Sequence, residues 1–411
     1  MGNQQMLASD SEMTETGNVQ PFGRRCLLYD VFAPFAASRV ALIVIAWLGL
    51  HLLQIPLKDA KWEVEADGNV HRVAGHLSPN AHPFVNMWAR WDSGWYLDIA
   101  QHGYSFVPGK QSNVAFLPLY PDLIRLVHFV FPLSRDVGWL DDGIILSNLA
   151  LLVALIYLYR LVRLDYERRT AARAVLYVCV FPTTLFLSAV YSESLFLALV
   201  VAAFYYARTA RWFVAGLLAA AAAVCRPPGI LLVLPLVFEY MSQRQFQWRR
   251  IKPDSLALSF PLLALVGHLV FLRLRFGEWD VIERAQLNQG WKRTFTLPWN
   301  TVFGSFHDIG SLRGFHGSFE VLFTIALFGL AIFSCFRLPR SYAIYAVVSV
   351  LFITSWGTLL STPRFGLVIF PIVMVLALLG ENKLFHRSFL AVSMLLAAIS
   401  MVVFSEWGWV A

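Results

Sequence analysis

Long apolar stretches, separated by short gaps rich in arginine and lysine, constrain this chain more than any other feature. Backbone N–H and C=O groups find no water inside a bilayer, so such stretches cross only as helices or closed barrels. A crossing helix needs roughly 17–25 residues. The runs expected to cross are 37–55, 143–162, 172–190, 194–208, 211–225, 228–242, 254–274, 317–336, 341–359, 365–380 and 388–405. Composition agrees. Hydrophobic residues make up 58% of the 411 and charged residues 14%, where an average soluble domain has about 25% charged. A soluble enzyme, a disordered chain and a small disulfide scaffold are excluded. Cys26, Cys179, Cys225 and Cys335 are too dispersed for a zinc or redox motif. Those in or beside apolar runs are expected to pack. The net charge of +7 sits in the gaps, which points to orientation by the positive-inside rule rather than to nucleic acid. The expected class is an all-α polytopic membrane protein with about eleven transmembrane helices, surrounded by membrane lipids.

The gaps divide into two groups. Arg163, Arg168, Arg169 and Arg173, then Arg208 and Arg211, then Arg244, Arg249, Arg250 and Lys252, then Arg337 and Arg340, then Lys383 and Arg387 fall in alternate gaps. These are expected to be cytoplasmic, and the cation-poor gaps to face outward. Residues 1–36 read as a disordered cytoplasmic tail, 37–55 as an uncleaved signal anchor, and 37–411 as the transmembrane domain. The assignment requires that 114–133 does not cross. Asp122, Arg125 and His128 recur there every three residues, as on one face of a helix lying in the interface. Two long outer loops follow, 56–142 and 275–316. The aromatic residues Trp62, Trp88, Trp91, Trp95, Tyr96, Tyr104 and Tyr120 are expected to anchor the first at headgroup level.

Five groups of polar residues fall on the outer side. Asp92, in WDSG, opens a helix, either as an N-cap worth about 0.5–2 kcal/mol or as a chemical group. Trp88, Trp91, Trp95 and Ile99 follow helical spacing, and Asp98 reads as a solvated surface acid. Glu193 ends a span, where an acid is either hydrated or functional. Arg226, in RPPG, either snorkels to headgroups or holds a phosphate. The second long loop carries Glu283, Arg284, Gln286, Trp291 and Arg293, and Arg364 ends another span in TPRFG. His268, inside a span, reads as a hydrogen-bonded packing residue. No aspartate pair forms a divalent-metal motif, so no metal and no cofactor are expected.

The segments RWDSGWYLDIAQHGY and AFLPLYP resemble the first luminal loop of the PIG-V family, the GPI mannosyltransferase II proteins and their prokaryotic relatives. PTTLFLSAVYSESLF, AAAVCRPPGILL, FGEWDVIERAQLNQGW and STPRFGLVIFP continue the resemblance in the same order. It implies a GT-C glycosyltransferase fold and transfer of a sugar, usually mannose, from a polyprenyl or dolichyl phosphate to a glycolipid or glycan. It places the catalytic acidic residue of the first outer loop on Asp92, expected to be the base of an inverting transfer. Donor and acceptor contacts are assigned to Trp91, His102, Tyr104, Tyr120, Tyr191, Glu193, Arg226, Arg284, Trp291 and Arg364. Two positions depart from the pattern: Asp98 stands where an uncharged residue is common, and RPPG where some relatives have RSNG. A lipid phosphate leaves as a stable anion, so a single base is sufficient, where a glycosidase needs two carboxylates. The lipid-linked sugar is then a co-substrate, and the expected location is a prokaryotic plasma membrane, or an ER membrane in a eukaryote, with the site outward. A lipid transporter would instead bury polar groups at mid-membrane, and a non-catalytic subunit would not need the WD, YSE and RPPG blocks.

Overall fold

The computed structural model describes residues 26–53, 83–130, 138–287, 291, 293–306, 314–406 and 408–410. Among them there are helices and no strands, as expected where each apolar segment must satisfy its own backbone. In chain order the helices are α1 (Leu27–His51), α2 (Ser93–His102), α3 (Leu119–Val130), α4 (Trp139–Val162), α5 (Arg168–Val180), α6 (Glu193–Arg208), α7 (Trp212–Ala223), α8 (Val233–Gln243), α9 (Pro253–Phe276), α10 (Val281–Leu287), α11 (Pro298–Ser305), α12 (Gly314–Arg337), α13 (Arg340–Ile353), α14 (Thr362–Leu367), α15 (Phe370–Leu379) and α16 (Lys383–Ser405). Helix α6 lies between α4 and α7, α7 packs on α9, and α5 packs on α15 and α4.

Every expected span contains a helix, but the described residues hold 5 that are long and apolar enough to cross a bilayer: α1, α4, α9, Ser318–Arg337 within α12, and α16. Proline stands near the break in three of the others. The run expected over 172–190 stops at Val180. Phe181, ahead of Pro182, is extended at ψ 145°, since a residue preceding proline is driven from the helical region. The run expected over 228–242 starts with a 3-10 turn at Pro227–Leu232. The run expected over 365–380 divides into α14 and α15 at Ile369. Helix α1 begins at Leu27 rather than at 37. Residues 1–25 of the expected tail, together with Trp62 in the first loop, lie outside the described residues.

Two expectations about the first loop are corrected. Trp88, Trp95, Tyr96, Tyr104 and Tyr120 are all buried, so these aromatics form the wall between loop and helices instead of anchoring at headgroups. Residues Ser93 to Ala100 of α2 are buried throughout. The helix starts at Ser93, which leaves Trp88 and Trp91 off it. Helix α3 has 12 residues, or about 18 Å at 1.5 Å per residue, and cannot span a core of roughly 30 Å. Its polar residues do not form an exposed stripe. Arg125 donates to the carbonyls of Ala100 at 2.8 Å and Ile99 at 2.7 Å, closing the C-terminus of α2. His128 meets Asp142 at 2.8 Å. Leu126, Phe129 and Val130 are exposed instead, so its apolar face turns away from the protein, as it would toward lipid.

The cation-rich gaps converge on one end of the molecule. Arg168 pairs with Asp30 at 2.7 Å, Arg208 with Asp165 at 2.6 Å, and Arg173 with Glu381 at 3.4 Å. Ser341 donates to Glu239 at 2.7 Å. The broken stretch 181–192 lies at the other end and is buried. Irregular backbone at that depth survives only if its polar groups find partners. Arg39, buried on α1, supplies several: it donates to the carbonyls of Thr184 (3.2 Å) and Cys179 (3.4 Å) and to the hydroxyls of Thr184 and Ser188 (both 2.8 Å). The Leu187 carbonyl accepts from Ser194 at 2.5 Å, and the Val190 N–H donates to Trp88 at 3.0 Å. Arg39→Met should therefore destabilise the protein by about 1–3 kcal/mol for each oxygen left unpaired. Thermal unfolding in detergent, with Arg39→Lys recovering part of the loss, checks this.

Candidate active site

The end of the molecule that holds the broken stretch also holds a cavity of about 340 Å³, within the range of small-molecule sites. Asp92, Tyr96, Arg226, Gln286, Trp291, Arg293 and Arg364 line it on the polar side. Ile230, Leu265, Phe352, Ile353 and Trp356 form much of the apolar wall.

Asp92 enters the cavity from a loop clamped on both flanks. Trp91 adopts a left-handed backbone at φ 52°, a conformation that costs a bulky residue about 1–3 kcal/mol and persists only where its surroundings impose it. The Trp91 indole donates to the Gly408 carbonyl at 3.3 Å and meets Trp409 edge-on. Arg90 donates to the Ser405 carbonyl at 2.9 Å. The Tyr191 hydroxyl bridges the loop, donating to the Arg90 carbonyl at 2.9 Å and accepting from the Asp92 N–H at 3.2 Å. Asp92 makes no side-chain cap to α2, which removes the capping reading. Its Oδ2 instead accepts from Arg364 at 2.8 Å.

Arg364 also places its Nε 3.3 Å from Glu193 Oε1. Arg226 approaches the same oxygen to 2.5 Å, as an ion pair rather than an aligned hydrogen bond. Glu193 is 0% exposed, so the hydrated reading fails. Its place at the N-terminus of α6 adds the favourable end of the helix dipole. Burial pulls the Arg364 guanidinium down, but Asp92 and then Glu193 outweigh it and hold it well above its ordinary value. The Phe365 ring lies under three guanidinium groups, Arg364 at 5.0 Å, Arg226 at 5.3 Å and Arg293 at 5.9 Å. Arg226 owes its position to Gly229, where a Cβ would collide with the backbone of Ala222. Ser192 joins the network, accepting from Arg226 at 3.2 Å and pairing with Tyr96 at 2.8 Å.

Asp92, Glu193, Arg226, Tyr191, Trp291 and Arg364 thus come together, although Tyr191 and Glu193 stand behind the wall rather than in it. Five expected binding residues do not reach the cavity. His102 is half exposed and meets Asp98 at 3.1 Å. Tyr104 donates to the Phe116 carbonyl at 2.8 Å. Tyr120 is fully buried against Ser147 at 2.6 Å. Arg284 pairs with Glu278 on the outer surface. Trp91 faces the C-terminal segment, not the cavity. Asp98 is not solvated: it is buried and accepts from Asn113 at 2.7 Å. His268 packs against Tyr104 and Phe271, but its Nε2 has no hydrogen bond among the described residues. Gln286 and Arg293, named in the second-loop group but not assigned as contacts, line the cavity, and Tyr96 and Phe365 are site residues that the sequence did not mark as such. Tyr96 lies four residues past Asp92, and Phe365 directly follows Arg364.

The molecule is therefore a helical membrane protein with a charged cavity at one end. The family model described as "Mannosyltransferase (PIG-V)" matches residues 40–270, and the chain belongs to that family. It is 32% identical to "GPI mannosyltransferase 2" of Drosophila pseudoobscura pseudoobscura over 159 residues, 36% of this chain and 34% of the relative. It is 34% identical to "GPI alpha-1,6-mannosyltransferase 2" of Rattus norvegicus over 153 residues, 35% of this chain and 30% of the relative. The matches thus span about a third of the relatives' length. Among solved structures, ArnT from Cupriavidus metallidurans bound to undecaprenyl phosphate is similar at 13% identity and TM-score 0.47, over 84% of this chain and 77% of the other. Archaeal oligosaccharyltransferase AglB from Archaeoglobus fulgidus is similar at 12% identity and TM-score 0.41, over 90% and 55%.

Arg364→Ala leaves Asp92 without an ion-pair partner among the described residues, while Glu193 keeps Arg226. It should lower stability by about 3–5 kcal/mol, the usual result of breaking a buried pair. The Arg364→Ala, Asp92→Asn double variant should recover part of that loss in thermal unfolding.

Proposed function

We propose that this protein is an integral-membrane mannosyltransferase of GT-C type. It moves mannose from a polyprenyl or dolichyl phosphate to a glycolipid or glycan acceptor on the extracytoplasmic face, with inversion. The whole of residues 37–411 serves as one catalytic transmembrane unit. The observation that carries the proposal is the convergence of Asp92, Glu193, Arg226 and Arg364 around one apolar-walled cavity, in a chain of the PIG-V family. Orientation rests on the basic gaps, which gather at the end away from the cavity.

Asp92 is the base. Arg364 fixes Oδ2, while Oδ1 has no hydrogen bond among the described residues and belongs to a residue that lines the cavity. The acceptor hydroxyl attacks the anomeric carbon, its proton passes to Asp92, and the bond from that carbon to the phosphate oxygen breaks. The lipid phosphate departs with the electron pair. No proton donor to the leaving group is needed, which fits a site with one carboxylate on the cavity wall. Glu193 and Tyr191 act by positioning: Glu193 sets both arginines, and Tyr191 sets the Asp92 backbone. Arginine guanidinium groups, stabilising charge as it forms on the phosphate, replace a divalent metal in this scheme.

Purified protein given radiolabelled polyprenyl-phosphate mannose should release polyprenyl phosphate and label a membrane glycolipid or glycan. Asp92→Asn should reduce kcat by about 10²–10⁴-fold with KM for the donor little changed. Transfer at the wild-type rate by that variant would remove Asp92 from the role. The rate should be the same with and without a divalent-metal chelator, and recovery by added metal after a chelator-induced loss would count against the arginine scheme.

A further inference from the structure

We propose that Arg293 is the group that takes the phosphate of the lipid-linked donor, with the Gln286 side-chain amide beside it receiving a sugar hydroxyl. This rests on the donor class proposed above and assigns its binding to residues outside the matched segment 40–270.

Two carboxylates and three guanidinium groups meet at the cavity: Asp92, Glu193, Arg226, Arg293 and Arg364. Arg364 is matched by Asp92 and Glu193, and Arg226 by Glu193. Those two arginines, the natural candidates for phosphate from the sequence, are thus already occupied within the protein. Arg293 has no carboxylate partner and no side-chain hydrogen bond among the described residues. Its side chain lies over Phe365 at 5.9 Å, and its N–H donates to the Gln286 carbonyl at 3.1 Å. A buried cation beside two like charges costs stability, and Asp92, which attracts Arg293 from beyond ion-pair distance, does not offset burial and Arg364. Burial and the neighbouring Arg364 accordingly hold its guanidinium below the ordinary value. The phosphodiester monoanion of the donor, and the monophosphate released from it, would supply the missing charge, and guanidinium matches either in two-pronged geometry.

Gln286 is the second observation. Gln286 lines the same cavity, and its buried Oε1 has no hydrogen-bond partner among the described residues. A buried amide oxygen without a donor is a group awaiting one, and a sugar hydroxyl provides it. Leu265, Ile230, Phe352 and Ile353 then offer the isoprenoid chain an apolar wall.

The test is binding to the full chain in nanodiscs of zwitterionic lipid, using a polyprenyl monophosphate, the uncharged polyprenol and phosphatidic acid as probes. Wild-type protein should prefer the polyprenyl phosphate to the polyprenol by about 10- to 100-fold, the scale of a charge-assisted hydrogen bond. Arg293→Gln should abolish that preference, Arg293→Lys should keep part of it, and Arg249→Gln at the opposite end should keep all of it. Ligand-free Arg293→Gln should also melt no lower than wild type, because an unmatched charge has been removed. An Arg293→Gln protein that retains the preference, or that melts several degrees lower without ligand, overturns the assignment while leaving the donor class standing. Wild-type protein that binds polyprenol as tightly as its phosphate, or phosphatidic acid more tightly than either, overturns the donor class and this inference with it.

Discussion

Arg364 reaches Asp92 with one nitrogen and Glu193 with another, and through that single side chain three distant parts of the polypeptide become one site. Asp92 belongs to the first loop, Glu193 to the start of α6, and Arg364 to the short helix α14 between two breaks. A planar, permanently charged group with donors in fixed directions can hold two carboxylates apart, where an ammonium would gather them to one point. The arrangement is strained at both edges. Trp91 and Ser361, close to Asp92 and Arg364 in sequence, each hold positive φ without being glycine.

Such a site needs chain that leaves helical geometry inside a membrane-embedded protein, and the molecule satisfies that backbone from neighbouring side chains. Arg39 serves the stretch after Pro182, Arg90 ties the first loop to the end of α16, and Glu320 accepts from the Ser361 N–H at 3.3 Å. The C-terminal residues Gly408 and Trp409 are part of the same scaffold, since they hold Trp91. The site is therefore assembled from both ends of the chain, although the family match stops at residue 270.

Much of this was legible beforehand. Apolar length marks the helices, and the alternation of basic gaps separates two ends, because both follow from the solvent that each segment meets. The WDSG, YSE, RPPG and TPRFG blocks supply the charged side chains that converge at one end. Partner choice was not legible. Asp98 and Asp92 look alike on paper, yet one is spent on Asn113 and His102 and the other on Arg364. Tyr104, Tyr120 and Arg284 share motifs with site residues but point elsewhere, because a motif records which residues are near in sequence and not which way a helix turns. The aromatic residues of the first loop resemble headgroup anchors by type. Their burial depends on how that loop folds over α4 and α6.

Sequence by itself determined that this is a many-helix membrane protein of the PIG-V family, with reactive groups gathered toward one end, since hydropathy and local motifs carry that information along the chain. Tertiary structure decided which cations pair with a carboxylate and which does not. Arg226, Arg293 and Arg364 are chemically identical in sequence, and only the distances to Asp92 and Glu193 distinguish the two that hold the site together from the one that faces it unmatched. Coulomb energy depends on separation through space, and separation along the chain says almost nothing about it.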